Sequence, residues 1–334
     1  MELGAQNPID KLPDNICVVI IGRNEGKRLE NCIKSVFAAG AKRIVYVDSQ
    51  SRDGSVKLAA EYGVSVIKLG SEKPLNAARA RNAGIASLMD SGADIDYVHF
   101  IDGDCELDSK WLIKAIETLE NLNDVAVVCG RLREKYRDQT LYNRLCDMAW
   151  YLPVGEINSC GGIATMRASA FLENKGFNEK LIAGEEPEFY RRLRLAGYKI
   201  RSLKDNMGTH DAAMTSYSEW WTRSVRTGFS YANAKEWNWR NNQRRSLVIW
   251  GGIYPLMLIV SCFVNPAVTL VGILIFPVQI YRVFRKLDIP YSKKERLLYA
   301  CFCMLDKFPE FLGFLKYQYA KITRRDHEII EYKD

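Results

Sequence analysis

The chain has little of what builds metal clips or disulfide frameworks. Of 334 residues only three are histidine, and the nine cysteines are odd in number, scattered, and include no C-x-x-C pair. That excludes a zinc-ribbon or disulfide scaffold. Cys17, Cys129 and Cys262 fall inside apolar runs, where a free thiol acts as a small buried hydrophobe, so a reducing compartment is expected. The first 15 residues contain no apolar run of signal-peptide type, which predicts that the catalytic part stays in the cytosol. A net charge of +7 is mild, and no basic stripe interleaved with aromatics crosses the first two-thirds. Nucleic acid is therefore not an expected partner.

What is present is alternation. Ile16–Ile21 is a continuous, β-branched apolar run suited to a strand covered on both faces. A helical pattern follows over Lys27–Ala39, with Leu29, Ile33, Val36 and Phe37 on one face. Strand at Ile44–Val47, helix at Ser55–Tyr62, strand at Val64–Lys68, helix at Leu75–Met89 and strand at Tyr97–Ile101 continue the series. Such alternation predicts an α/β domain with a mostly parallel sheet and helices on both faces. Ligands in these sheets sit at the carboxyl ends of the strands.

Charge then disappears. Ser246–Tyr281 runs for 36 residues without Asp, Glu, Lys or Arg. One spanning helix needs only ~20 residues. Asn265-Pro266 makes a natural turn near the middle. Arg240, Arg244 and Arg245 precede the run, and Arg282, Arg285 and Lys286 follow it. The positive-inside rule then predicts a two-helix or re-entrant hairpin with both ends cytosolic. A third apolar stretch, Leu297–Leu315, is interrupted by Asp306, Lys307 and Glu310. It is expected to be one amphipathic helix in the membrane interface. The competing reading is a buried helical core.

Three constellations carry chemistry. Asp102-Gly103-Asp104 ends the strand beginning at Tyr97, and two carboxylates around a glycine can approach one hard cation, Mg²⁺ or Mn²⁺. Gly184-Glu185-Glu186 opens a helix, and one of two adjacent acids can act as a general base. Carboxylates at a helix start also serve simply to complement its dipole. At the exits of the first two strands lie Arg23-Asn24-Glu25 and Asp48…Ser51…Asp53-Gly54, short polar loops able to read a nucleobase and ribose. Asp53 is also expected to cap the helix after it. Arg79 and Arg81 sit on the 75–89 helix, either as phosphate ligands or on a solvated face.

In this order and spacing the residues resemble family 2 glycosyltransferases over about 15–240. The resemblance rests on Asn24-Glu25, Asp48…Ser51…Asp53-Gly54, Ala80-Arg81-Asn82-x-Gly84, Asp102-Gly103-Asp104, Gly161-Gly162, Gly176-Phe177, Gly184-Glu185-Glu186, Arg192-Leu193-Arg194 and Gly197-Tyr198. It implies the GT-A nucleotide-diphospho-sugar transferase fold and an inverting, metal-dependent transfer from a nucleotide-sugar donor. It implies that Asp48 contacts the donor base or ribose and that Arg81 is a donor-site residue. Asp102 and Asp104 are implied to meet metal and ribose-diphosphate, with His210 as a third metal ligand. The base falls on Glu185 or Glu186, where the family usually ends its pair in Asp; position in the motif favours Glu186. The Gln-x-x-Arg-Trp motif of the processive synthases is absent, and a tryptophan-rich basic segment (Trp220, Trp221, Arg223, Arg226), suited to the membrane interface, stands in that region. One sugar per encounter, passed to a lipid-linked or other saccharide acceptor in cell-surface glycan assembly, is the expectation.

The expected organisation is a tail over 1–15, a catalytic domain over 16–240, and a C-terminal region over 241–334. That region holds a hairpin at about 246–284 and an interfacial helix at about 297–320, placing the enzyme at the cytosolic face of the inner membrane. Two other readings differ in class. A sugar nucleotidyltransferase needs a glycine-rich loop after the first strand, which Gly22-Arg23-Asn24-Glu25 does not supply. A catalytically silent membrane scaffold that retains the fold is motivated only by the Glu at position 186.

Overall fold

A computed structural model describes residues 12–181, 183–233 and 241–323. The expected tail up to residue 11, Arg240 and residues 324–334 lie outside them. In chain order the elements are β1 (Ile16–Gly22), α1 (Lys27–Ala38), β2 (Arg43–Asp48), α2 (Ser55–Glu61), β3 (Ser65–Lys68), α3 (Ala77–Asp90), β4 (Tyr97–Asp102), β5 (Cys105–Leu107), α4 (Trp111–Asn121) and β6 (Val125–Glu134). Then follow α5 (Leu141–Ala149), β7 (Gly155–Ile157), β8 (Ala164–Arg167), α6 (Ala168–Glu173), α7 (Glu185–Leu195) and β9 (Lys199–His210). The C-terminal helices are α8 (Tyr217–Asn233), α9 (Asn241–Val248), α10 (Tyr254–Val264), α11 (Pro266–Lys286), α12 (Lys293–Leu305) and α13 (Lys307–Thr323). Two compact units form, one within Met1–Arg137 and Trp150–Ala213, the other within Asp138–Ala149 and Met214–Tyr332. The first unit thus closes at Ala213, and α5 and α8 belong to the second.

The first unit is built on one nine-stranded sheet in the order β3-β2-β1-β4-β8-β6-β9-β5, with β7 also paired to β9. From β3 to β4 every pairing is parallel. Beyond β4 the sheet is mixed, with β8 antiparallel to both neighbours and β6 parallel to β9. The expected mostly parallel α/β sheet is present. Residues 16–21 of β1 are all buried, because helices cover both faces and no face is left for water. On α1 the buried stripe is Leu29, Cys32, Ile33 and Val36, whereas Phe37 is 42% exposed rather than part of that face. Helix α3 comes so close to β1 that a Cβ on Gly84 would lie 2.4 Å from Val19 Cγ1. That approach brings the arginines of α3 into the interior.

In the second unit, Asn242–Val264 and Pro266–Lys286 are each long and apolar enough to cross a membrane, and only 6% of each apolar window is buried. A buried helical core is thereby disfavoured. The turn falls at Asn265, whose side chain accepts from Ala267 N at 3.0 Å, with Pro266 opening α11. The first of these helices passes through a π-helical turn at Ile249–Ile253. There Gly251 and Gly252 let α13 approach, since a Cβ on Gly251 would lie 1.9 Å from Lys307 O. The third apolar stretch is two helices rather than one, broken at Asp306. Its charges do not face outward: Asp306 Oδ1 accepts from Ser224 Oγ at 2.6 Å, and Glu310, 6% exposed, pairs with Lys307 at 2.6 Å. Trp220 likewise turns inward, edge-on to Phe302 and stacked near Tyr142.

Gly84→Val is expected to lower stability by about 1–3 kcal/mol, the usual cost of overpacking a filled core. Denaturant unfolding of the purified protein measures it, and an unchanged midpoint would contradict the α3–β1 contact.

Candidate active site

The carboxyl ends of β1, β2 and β4 converge, as the parallel order requires. Two of their loops are tied together by side chains. Asn24 takes a left-handed backbone with φ 53°, and its N–H donates to Ser51 Oγ at 2.9 Å. Its Oδ1 accepts from Arg52 N at 2.8 Å, and Gly26 N donates to Ser55 Oγ at 3.1 Å. Asp48, 2% exposed, accepts from Tyr46 Oη and from Ser51 N, each at 3.0 Å. Asp53 Oδ1 accepts from Ser55 N at 2.9 Å, so it stabilises the start of α2 from one position before the cap, Gly54. Glu25 is buried and paired to Arg28 at 2.9 Å, with its Cγ 3.0–3.2 Å from where a Cβ on Gly22 or Gly103 would stand. Those two glycines make room for it. Arg23 lies on the same loop, half-buried.

The centre of the site is Arg81. Its side chain is 3% exposed, and it meets three carboxylates: Nη2 donates to Asp102 Oδ1 at 3.1 Å, and Nη1 to Glu185 Oε1 at 3.1 Å and Glu186 Oε1 at 3.4 Å. Phe177 lies 5.6 Å from the guanidinium. A Cβ on Gly162 would sit 1.9 Å from Nη2, which explains a glycine there. Burial alone would lower the Arg81 pKa, but the charges of Asp102, Glu186 and Glu185 outweigh it and raise it. The α3 arginines therefore do not lie on a solvated face. Arg79 donates to Gly70 O at 2.9 Å and Lys73 O at 2.8 Å, so it braces that loop instead of waiting for phosphate. Asn82 holds the Gly176-Phe177 turn, accepting from Phe177 N at 2.9 Å.

At the start of α7 the capping residue Gly184 has φ 87° and no side chain to offer. Glu188 is paired with Arg192, while Glu185 and Glu186 reach Arg81. Glu185 is 7% exposed at its side chain and Glu186 20%. Burial first, then the neighbouring Glu186 charge, push the Glu185 carboxyl up to about 7 against the pull of Arg81.

The second half of the site comes from strand pairing. β5 runs antiparallel to β9 with Cys105 opposite His210, and β6 places Glu134 opposite His210 from the other side. His210 Nε2 lies 3.3 Å from Asp104 Oδ1, and Trp150 stands edge-on to the imidazole at 4.5 Å. Asp104, Cys105 and His210 present ligand atoms within 4.8 Å of one another. His210 Nδ1 is buried without a hydrogen-bond partner. A carboxylate and an imidazole converging this way suit a divalent cation. Asp102 stands apart from this cluster, turned to Arg81. Cys105 and Glu134 were not legible as site residues, because only the pairing of β5 and β6 with β9 brings them to His210.

Glu185 has a sign that can be checked. Its folded pKa of about 7 lies above the ordinary glutamate value of about 4.3. Its favourable contribution is full below about 4.3 and is lost as pH rises through about 7. Stability of the wild type measured across that window should fall, and the slope should flatten in Glu185→Gln. Arg81→Met, which strands three carboxylates, is expected to cost about 3–5 kcal/mol, as breaking a buried ion pair does. Equilibrium unfolding measures it, and a loss under 1 kcal/mol, on the scale of a surface pair, would contradict the network.

Residues 17–171 match the profile of glycosyl transferase family 2. Glycosyltransferase AglE of Haloferax volcanii is 24% identical over 209 residues, which are 59% of this chain and 67% of the relative. The O-antigen chain rhamnosyltransferase WbaN of Salmonella anatum is 27% identical over 204 residues, 57% of this chain and 62% of its own length. The chain thus aligns with about two thirds of the length of these relatives. A solved structure, the mannosyltransferase PcManGT from Pyrobaculum calidifontis in complex with GDP-Man and Mn²⁺, matches 95% of this chain and 92% of its own with a TM-score of 0.61. At 16% identity that likeness shows the shared GT-A fold. The chain is therefore a glycosyltransferase folded in the GT-A manner, whose residues 17–171 carry the glycosyl transferase family 2 match.

Proposed function

We propose that the enzyme transfers one sugar from a nucleotide-sugar donor to a lipid-linked saccharide acceptor, with inversion at the anomeric carbon. The observation that carries this is the Arg81 bridge, which holds the acid pair of α7 against Asp102 at the end of β4. This supports a base and a diphosphate-binding acid acting side by side. The buried Asp48 and the tied loops of Arg23, Asn24, Glu25, Ser51 and Asp53 would receive the base and ribose by hydrogen bonds. Asp104 and His210 would hold Mg²⁺ or Mn²⁺, and Asp102, tied to Arg81, would meet the ribose-diphosphate. A cation held by these residues would supply positive charge against the departing diphosphate. Glu186, more exposed than Glu185, is the base: it takes the proton of an acceptor hydroxyl as that oxygen bonds to the anomeric carbon. The bond from that carbon to the diphosphate breaks on the opposite side, and its electron pair leaves with the nucleotide. One displacement gives one inversion.

The setting supports the acceptor class. The two apolar helices expose Phe263, Val264, Leu270 and Leu274 broadly, which fits a bilayer rather than water. Arg282, Arg285 and Lys286 at the end of α11 support a cytosolic location for that end. The names of the relatives, among them O-antigen chain rhamnosyltransferases, support cell-surface glycan assembly.

Purified protein assayed against UDP-, GDP- and dTDP-sugars with Mg²⁺ or Mn²⁺ should turn over at least one of them. Glu186→Gln should slow that turnover by about 10²–10⁴-fold, the usual worth of a general base, with donor affinity kept. Unchanged turnover would move the role to Glu185, and no turnover of any donor by the wild type would favour the silent scaffold. The enzyme should also stay with the membrane pellet after an alkaline carbonate wash; its release would remove the membrane setting.

A further inference from the structure

We propose that the cation pocket includes the Cys105 thiol, and that it therefore selects thiophilic divalent cations, Zn²⁺ and Co²⁺, over Mg²⁺. This rests on Asp104 and His210 being cation ligands and adds a third donor that changes which cation they hold.

The arrangement begins with the backbone. Cys105 and His210 are register partners on the antiparallel β5–β9 pair. Directly opposed residues put their side chains on one face of a sheet. Asp104 is the residue before β5, and its carbonyl accepts from Asp211 N at 3.0 Å, which extends the same pairing by one step. Two consecutive rungs, Asp104–Asp211 and Cys105–His210, hold these backbones side by side, and the turn at Asp104 leaves its carboxylate within 4.8 Å of the thiol and the imidazole. Trp150 limits the swing of the imidazole from the side.

Distances decide what the point accepts. Cys105 Sγ is 3.6 Å from Asp104 Oδ1, and His210 Nε2 is 3.3 Å from the same oxygen. With Zn–S near 2.3 Å and Zn–N or Zn–O near 2.0–2.1 Å, tetrahedral ligands stand about 3.3–3.6 Å apart. The two separations already match that spacing. A magnesium ion prefers six oxygens and keeps several waters, for which a thiol is a poor neighbour. One sulfur, one nitrogen and one oxygen instead fit a borderline-soft ion, with a fourth position open to a water or a phosphate oxygen. Binding transfers the thiol proton to solvent and forms the sulfur–metal bond.

Cobalt serves as the test, because a thiolate ligand gives Co²⁺ an intense near-ultraviolet charge-transfer band independent of turnover. Full-length protein in detergent is titrated with Co²⁺, Zn²⁺ affinity is measured against a chromophoric chelator, and Mn²⁺ binding is followed by electron paramagnetic resonance. The wild type should show the band, and Cys105→Ser should lose it. The same variant should lose Zn²⁺ affinity on the order of 10–100-fold, with Mn²⁺ affinity nearly unchanged. If the wild type binds Mn²⁺ through Asp104, as loss in Asp104→Asn would show, but gives no cobalt band, the thiol is not a ligand and this inference fails alone. If neither Mn²⁺ nor Co²⁺ binds, the reading of Asp104 and His210 fails with it. Absence of the band from the wild type overturns the inference even where a variant does not fold, and Cys301→Ser with Cys303→Ser should leave the band in place.

Discussion

The site depends on one buried guanidinium. Arg81 is fixed by α3, which Gly84 lets approach β1, and its fork reaches two separate stretches of chain, the end of β4 and the start of α7. An unpaired charge at that depth is too costly to keep. Glu185, Glu186 and Asp102 are thus the condition on which Arg81 can be buried. Arg81 is equally the condition on which three acids can gather. The balance stays uneven, with three carboxylates against one cation, and the strain of that excess falls on Glu185, whose proton is held up to about 7. A second cation nearby would relieve the excess further, and the Asp104–Cys105–His210 cluster is where the proposed one would sit.

The other half of the site is set by register rather than by charge. Shifting β9 by one residue against β5 would send His210 to the opposite face and dissolve the cluster. β9 carries irregularities against β6 around Cys129–Leu132, ahead of the point where Glu134 meets His210. Such bulges re-aim a strand near a site. Here they let a long strand serve β6 at one end and β5 at the other.

What the sequence disclosed follows from this division. Local signals were legible: the β-branched run of β1, the acids closing β4, the polar loops after β1 and β2, and the break at Asn265-Pro266 all lie within a few residues of the feature they produce. Pairwise facts between distant segments were not. Nothing near Arg79 or Arg81 tells that one braces a loop and the other bridges Asp102 to Glu185, because both look like ordinary helix charges. The separation of Asp102 from the Asp104–Cys105–His210 cluster was hidden for the same reason. The stretch after Leu297 misled through its charges: Asp306, Lys307 and Glu310 read as an outer polar face, yet Ser224 and their own ion pair let them turn inward.

That inversion bears on the proposed membrane setting. In water, a helical unit hides apolar groups and shows charged ones. In this unit Glu310 is buried, while Phe263 is 88% exposed and Val264 78%. Helices α8 and α13 meet backbone to backbone, since a Cβ on Gly228 or Gly313 would lie 1.9 Å from a carbonyl oxygen of the other helix. Association through small residues, with polar groups joined inside, suits a surrounding as apolar as the side chains themselves. Ser261 and Thr269 repeat the pattern, 2.8 Å apart between α10 and α11. An aqueous unit would have little reason to leave those two helices uncovered, and their bare surface is the strongest physical support for a bilayer around them.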